Sequence, residues 1–436
     1  MEEIIIHGGR KLEGRLPLQG SKNSSLPILA ACVLANGVSV LHNIPALTDV
    51  AAAVRILEHL GCSVTRQGHT LTVDSRAVSC YTIPEHMMHE MRSSIVFLGA
   101  MLARLGKAEL CTPGGCEIGL RPIDLHLSSL RALGADIEEQ NACLHCACKE
   151  KLRGCVISLS FPSVGATENI MLAAAAATGS TTILNAAREP EIDDLAAFLN
   201  ACGGKVHICA GGAIQIEGVK KLHGAEHTVI SDRIAALTYM AATAACGGDV
   251  LLEQVQTAHF LSVNRVFEQA GCQISATPDS LRIRAPKRLL AVRDIRTLPY
   301  PGFPTDAQAA VMAMLSKADG TSVMVETIFE NRFHHVHELN RMGARIRVEG
   351  RVAIIDGVPH LTGAPVTAVD LRAGGALVVA GLAAAGTTQI SGVHHIDRGY
   401  ERIEACLRTL CADIERSADC GSRQQPIQPP VRSVLG

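Results

Sequence analysis

The sequence predicts an α/β protein of two domains, each made of three copies of one unit. Two observations carry this. A helix end, a glycine and a β-like stretch recur six times along the 436 residues, and six helices apolar on every face interleave with them. The length agrees, since a domain takes roughly 100–200 residues.

The first series reads HLGCSVTRQGHTLTV, ALGADIEEQNACLHC, ACGGKVHICAGGAIQI, QAGCQISATPDSLRI, RMGARIRVEGRVAII and TLCADIERS. Its glycines are Gly61, Gly134, Gly203, Gly271 and Gly343, with Cys411 in sixth place, at intervals of 68 to 73 residues. Helices often close on a left-handed residue, which glycine becomes without steric strain. Each stretch then alternates apolar and polar residues around a turn, the pattern of a half-buried hairpin.

The second series is SKNSSLPILAACVLANG from near residue 21, MRSSIVFLGAMLARLG from 91 and VGATENIMLAAAAATG from 164. It continues with SDRIAALTYMAATAACG from 231, PTDAQAAVMAMLSKADG from 304 and DLRAGGALVVAGLAAAG from 370. Each opens on polar residues, runs apolar almost all round and stops at glycine, which is the pattern of a buried helix. Between them lie amphipathic helices such as DVAAAVRILEHLG, 49–61. The buried helices are expected inside a wall of sheets and outer helices. The fourth opens at residue 231, so the cut between domains falls there. Residues 1–20 precede the first buried helix, and the pattern leaves their half open.

Composition narrows the function. The chain is 47% hydrophobic and 19% charged, too apolar for disorder. A net charge of −2 gives no global case for nucleic acid or membrane partners. MEEIIIHGGRKLEG lacks the signal-peptide pattern, and no apolar run reaches the ~18 residues of a membrane span. A cytoplasmic location is expected, with reduced thiols. CLHCAC (Cys143, Cys146, Cys148) has no second Cys or His pair at finger spacing and falls in a strand-like stretch. ENRFHHVHEL lacks the order H-E-x-x-H. No metal is expected.

The starts of the buried helices carry unusual residues: Lys22 and Asn23, Arg92, Ser163 to Thr167, Asp232 and Arg233, Thr305 and Asp306, Asp370 and Arg372. Capping by itself accounts for Asp232 and Asp370. A cation at a helix N-terminus opposes the helix dipole at a cost of about 0.3–1 kcal/mol. Lys22, Arg92, Arg233 and Arg372 all make that choice. For each, the plain account is a solvated side chain that bends away. Four in equivalent positions point instead to starts that line one anion-binding cleft, to which Arg398 and Arg332 add. In PGGCEIGLRPIDLH (113–126) the Pro-Gly-Gly run marks a turn, and Arg121 favours a thiolate at Cys116. An inert buried thiol, the reading for Cys32, Cys62 and Cys246, stays open for Cys116 on pattern alone.

Nine stretches carry a resemblance: GSKNSSLPILAACVLA, MRSSIVFLGAMLAR, PGGCEIGLRPIDLH, PSVGATENIML, NAAREPEI, PGFPTDAQA, TIFENRF, DLRAGGALVVAG and HIDRGYERIE. Together, from about residue 1 to 416, they resemble the UDP-N-acetylglucosamine 1-carboxyvinyltransferases, the enolpyruvyl transferases that open bacterial peptidoglycan synthesis. The resemblance implies two inside-out α/β barrels of three units each, closing over a cleft. It assigns 22–230 to the first domain and 1–21 with 231–416 to the second. Residues 417–436 extend past the family's usual end, and their Pro, Gln and Ser content predicts disorder.

The implied reaction passes the enolpyruvyl group of phosphoenolpyruvate to the 3′-hydroxyl of UDP-N-acetylglucosamine and releases phosphate, without cofactor or metal. By resemblance, Cys116 is the general acid, the thiol that adds covalently to phosphoenolpyruvate, and the target of the epoxide fosfomycin. Asp306 resembles the base at the sugar hydroxyl. Lys22, Arg121 and Arg398 resemble binders of the phosphoenolpyruvate anion, with Arg332 and Arg372 in support. Asn23 and Arg92 are similar to contacts at the substrate junction. Arg121, Pro122, Ile123, Asp124 and Leu125, with Ser163, Val164 and Gly165, resemble the uridine and diphosphate contacts. Ile328 stands where a backbone contact to the sugar nucleotide is expected, and the Cys116 segment corresponds to the family's lid. The chain departs from some members at Thr48 and Phe161, where they carry lysine, which implies weaker nucleotide binding. A monomer is expected. The rivals are 5-enolpyruvylshikimate-3-phosphate synthase, which shares fold and phosphoenolpyruvate, and a paralogue that binds the UDP-sugar without turnover.

Overall fold

The computed structural model describes residues 2–111 and 123–417, with Arg92 described in its backbone only. Cys116, Arg121, Pro122 and the tail from 418 lie outside the described residues. The described strands form six four-stranded sheets of one design. In the first, Val38–His42 pairs antiparallel with Thr70–Asp74, which closes a hairpin with Ser63–Gln67. Leu71 and Val73 point into the core while Thr70 and Thr72 face outward, the alternation read in the sequence. Glu226–Thr228 then adds in parallel to Val38–His42.

That short parallel strand closes each half of the molecule. The sheets around Lys107–Cys111 and Ser180–Leu184 take theirs, Thr82–Ile83 and Val156–Ser158, from the end of the preceding unit. The first unit takes Glu226–Thr228 from the end of the third, so three units form a ring. In the other half, Ile295–Arg296 and Pro365–Thr367 serve the fifth and sixth units. The fourth takes Glu13–Pro17, in parallel with Asp249–Glu253.

The sixth copy, TLCADIERS, is short in the sequence because its hairpin partner lies at the other end of the chain. Glu3–His7 pairs antiparallel with both Asp413–Ser417 and Thr387–Ser391. Residues 3–17 thus complete two sheets of the 234–414 half. The buried hydrophobic residues separate the same way, one cluster spanning Leu26 to Val229 and the other Ile4 to Leu18 with Ile234 to Ile414.

The six apolar series form the helices Lys22–Cys32, Phe97–Leu105, Val164–Ala174, Arg233–Cys246, Gln308–Leu315 and Leu371–Ala383. Short 3₁₀ turns, Arg92–Val96 and Thr305–Ala307, precede the second and fifth. Ser21, Ser163, Asp232 and Asp370 cap their helices through side-chain oxygens. Among the described residues no helix is long and apolar enough to cross a membrane, and no group of three or more ligating side chains is placed to hold a metal.

The repeated glycines stand at φ between +89° and +105°, and Cys411 at +67°. Each of the six donates its amide to the carbonyl three residues earlier, closing the outer helix. Cys411 therefore takes a left-handed conformation that a side chain strains by about 1–2 kcal/mol. Cys411→Gly relieves that strain and recovers, net of the greater freedom of the unfolded chain, up to about 1 kcal/mol. The check is the urea midpoint, which should rise; a lower midpoint would show that the thiol's contacts outweigh the strain.

Candidate active site

The outer helix Thr48–His59 packs an apolar stripe of Ala53, Ile56 and Leu57 against the core. Asp49 lies on that stripe, four residues before Ala53, and is 2% exposed. A carboxylate buried there needs charged partners. It has two. Lys22 Nζ lies 2.7 Å from Oδ2, and Arg398 donates from Nε to Oδ1 at 2.9 Å. Burial pushes the Asp49 carboxyl up, but Lys22 and Arg398 outweigh it and hold the pKa below the ordinary carboxylate value. Lys22, at the start of the helix Lys22–Cys32, and Asp49 belong to the half whose core spans Leu26 to Val229 and Arg398 to the other, so the carboxylate bridges the halves. Burial in turn pushes the Lys22 ammonium down, against the pull of Asp49 and with the push of Arg372 and Arg398.

Lys22 sits at the first position of its helix because the neighbouring cap holds it. Asp232 accepts from Ile234 and Ala235 through Oδ1, both at 2.9 Å, and from the Lys22 amide through Oδ2 at 3.1 Å. One side chain thus ties the starts of the first and fourth buried helices together. Beside it, Asp306 receives Arg332 Nη2 on Oδ1 at 2.6 Å and Arg372 Nη2 on Oδ2 at 2.8 Å. Both arginines are buried. Burial disfavours the Arg372 charge, yet Asp306, Tyr400 and Asp232 more than compensate and push its pKa up. Tyr400 reaches this point because residue 375 is glycine: a Cβ there would stand 2.6 Å from the Tyr400 hydroxyl. The turn bearing Arg398 therefore packs directly on the start of the Leu371–Ala383 helix.

Arg233 departs from the sequence expectation. Its guanidinium is neither solvated nor free for a ligand. Glu191 takes it with both oxygens, at 3.0 and 3.2 Å, inside the protein. Like Asp49, Glu191 lies on the buried stripe of an outer helix, Pro190–Ala201, with Leu195, Phe198 and Leu199. It too bridges the halves. Arg233 is thus matched one to one by Glu191, whereas Asp49 and Asp306 each hold two cations, Lys22 with Arg398 and Arg332 with Arg372. Ile328 is held at the end of its loop by Glu326, which is 1% exposed and accepts the Ile328 amide at 2.8 Å. Asn23, the second residue of its helix, is half-buried.

A second region joins the helix starts at Asp124 and Val164. Ile123 precedes the helix Asp124–Ala132, on which His126 is buried. His126 Nδ1 meets the Asn169 amide at 2.7 Å, and Asn169 also binds the Ile95 carbonyl and the Gly99 amide. Burial pushes the His126 imidazole down to about 4, so it is neutral at pH 7. Its ring faces Gly165, where a Cβ would stand 3.1 Å from Cε1. Residues 123–125 and 163–165 are thereby brought to one place, at two helix starts of the kind that receive phosphate. Phe161, two residues before the cap, is exposed. Thr48 donates its amide to the Asp397 carbonyl.

The family model of EPSP synthase (3-phosphoshikimate 1-carboxyvinyltransferase) matches residues 6–407. A UDP-N-acetylglucosamine 1-carboxyvinyltransferase 2 of Caldanaerobacter subterraneus subsp. tengcongensis is 51% identical over 95% of this chain and all of its own. One from Carboxydothermus hydrogenoformans is 48% identical over 96% of this chain and all of its own. The chain belongs to the UDP-N-acetylglucosamine 1-carboxyvinyltransferase family. Membership makes it an enolpyruvyl transferase. In fold, the enolpyruvyl transferase NikO from Streptomyces tendae superposes with a TM-score of 0.87 at 24% identity, covering 95% of this chain and 99% of that one. An EPSP synthase from Acinetobacter baumannii superposes at 0.76 and 19%, over 96% and 100%. The two-domain α/β architecture expected from six repeats is thus the architecture of this family.

Proposed function

We propose that the chain transfers the enolpyruvyl group of phosphoenolpyruvate to the 3′-hydroxyl of UDP-N-acetylglucosamine, the first committed step of peptidoglycan synthesis, as a cytoplasmic monomer without metal or cofactor. The observation that carries this reading is the pair of charge bridges at the junction of the two halves: Lys22–Asp49–Arg398 beside Arg332–Asp306–Arg372. Four cations and the carboxylates Asp49, Asp306 and Asp232 leave an excess of positive charge for an anion that bears both phosphate and carboxylate. On this reading 22–230 forms one domain and 1–21 with 231–416 the other; Ser417, expected in the tail, instead ends the strand Asp413–Ser417 opposite Glu3.

The residues then divide the work. Lys22, Arg398 and Arg121 hold the phosphate and carboxylate of phosphoenolpyruvate, with Arg332 and Arg372 in support. Cys116 delivers a proton to the methylene carbon, which leaves C2 electrophilic. The sugar 3′-oxygen bonds to C2 as Asp306 accepts its proton. The tetrahedral adduct then loses phosphate from C2 and a proton from the new methyl group, which restores the vinyl double bond. Asn23 and Arg92 contact the junction of the two substrates, and the Ile328 carbonyl the sugar nucleotide. Residues 121–125 and 163–165 hold the uridine diphosphate, in part through the helix start at Val164.

The test follows from the methyl stage. With phosphoenolpyruvate and UDP-N-acetylglucosamine in heavy water, mass spectrometry should find the enolpyruvyl sugar nucleotide with deuterium in its vinyl group. Product without deuterium would rule out addition followed by elimination, and no product would remove the acceptor. A second prediction concerns the nucleotide. Gly165→Leu pushes a side chain against His126, an overpacking of about 1–3 kcal/mol at the diphosphate site. KM for the sugar nucleotide should rise about tenfold, the equivalent of about 1.4 kcal/mol, with kcat nearly unchanged. An unaltered KM would take residues 163–165 out of the nucleotide site.

A further inference from the structure

Two half-buried thiols meet at the end of the strand that runs into the Cys116 segment. Cys111 ends the strand Lys107–Cys111 and Cys143 opens Cys143–Ala147, directly opposite in an antiparallel pair. Both are free, with their sulfurs 2.7 Å apart. The ladder accounts for the approach. The Cys148 amide bonds to the Gly106 carbonyl, so hydrogen-bonded pairs alternate from that point. Glu109 turns its amide away, to the Tyr81 carbonyl at 2.8 Å. Glu109–His145, and two residues on Cys111–Cys143, are therefore non-hydrogen-bonded pairs, where Cα atoms come within about 4.5 Å. That falls inside the range of about 4.4–6.8 Å that a disulfide spans. Among the described residues no other two cysteine sulfurs lie within hydrogen-bond reach.

The hydrogen bond that the Cys111 thiol donates to Cys143, together with burial, raises the Cys111 thiol to about 11. We propose that Cys111 and Cys143 form a reversible redox site that closes to a disulfide by exchange with a low-molecular-weight disulfide such as glutathione disulfide. One of the two thiols loses its proton and attacks a sulfur of the small disulfide, releasing one small thiol. The other, as thiolate, then attacks the protein sulfur of this mixed disulfide and releases the second small thiol. Two protein thiols are oxidised by two electrons, the small disulfide is reduced to two thiols, and the protons pass to the departing thiolates. The closed loop contains residues 112–142, and with them Cys116. Constraining it in the unfolded chain stabilises the oxidised form.

The whole protein is incubated with glutathione disulfide, remaining thiols are alkylated, and peptides are mapped by mass spectrometry. The expected result is one linked pair, Cys111 with Cys143, lost on treatment with dithiothreitol. The oxidised protein should melt higher than the reduced one, and that shift should vanish in Cys143→Ser. The proposal is overturned if both residues are recovered alkylated, if Cys111 retains glutathione, or if either is linked to a different cysteine.

Discussion

Asp306→Asn lowers kcat by about two to four orders of magnitude, the contribution of a positioned acid or base. The amide keeps the carboxylate's shape and one acceptor oxygen, so one of Arg332 and Arg372 retains its hydrogen bond. It cannot take the proton of the sugar hydroxyl. The protein also becomes less stable, by about 1–3 kcal/mol, because a buried guanidinium is left without its acceptor. The two effects separate experimentally. If Asp306 only held the arginines in place, the loss would appear chiefly in KM for phosphoenolpyruvate. A variant whose kcat stays within a few-fold of the parent would remove Asp306 from proton transfer.

Cys116→Ser produces a loss of similar size with a different signature. A serine hydroxyl is a far weaker acid than a thiol and a poorer nucleophile, so both the proton to the methylene carbon and the covalent adduct are lost. Turnover should fall by about two to four orders of magnitude, while the melting temperature stays at the parent value. Labelling by fosfomycin at residue 116 should disappear. A melting temperature that collapsed together with activity would favour a structural thiol.

Much of this was legible in the letters because it repeats. The left-handed position after each outer helix has one preferred residue, and five of six copies use it, which exposed the period and marked Cys411 as the exception. The all-apolar helices were equally plain. The short parallel strands were not. Thr82–Ile83 or Glu226–Thr228 is too brief to alternate, and the partner of the latter lies across the whole first half. Likewise nothing local joins TLCADIERS to EIIIH; the missing half of a hairpin was the only sign.

At the site, cations at helix starts are visible as a conflict with the helix dipole, whereas their carboxylate partners lie far along the chain, Asp49 from Arg398 and Glu191 from Arg233. Asp49 and Glu191 are ordinary first-turn acids when read along the chain. Read around the helix, they occupy the apolar stripe with Ala53 and Ile56 or Leu195 and Phe198, and a charge on that face requires a buried partner. That signal would have paired Glu191 with a cation and kept Arg233 out of the anion cleft. His126 stood in the PGGCEIGLRPIDLH motif, but its contact with Gly165 depends on two helices meeting.

The central claim concerns the acceptor, since the family model that matches most of the chain is shared with enzymes of another acceptor. Phosphate release from phosphoenolpyruvate, measured in parallel with UDP-N-acetylglucosamine and with shikimate 3-phosphate, decides it. The account predicts release with the UDP-sugar alone. Release with shikimate 3-phosphate would contradict it, and binding of the UDP-sugar without release would make the chain a sensor in place of an enzyme.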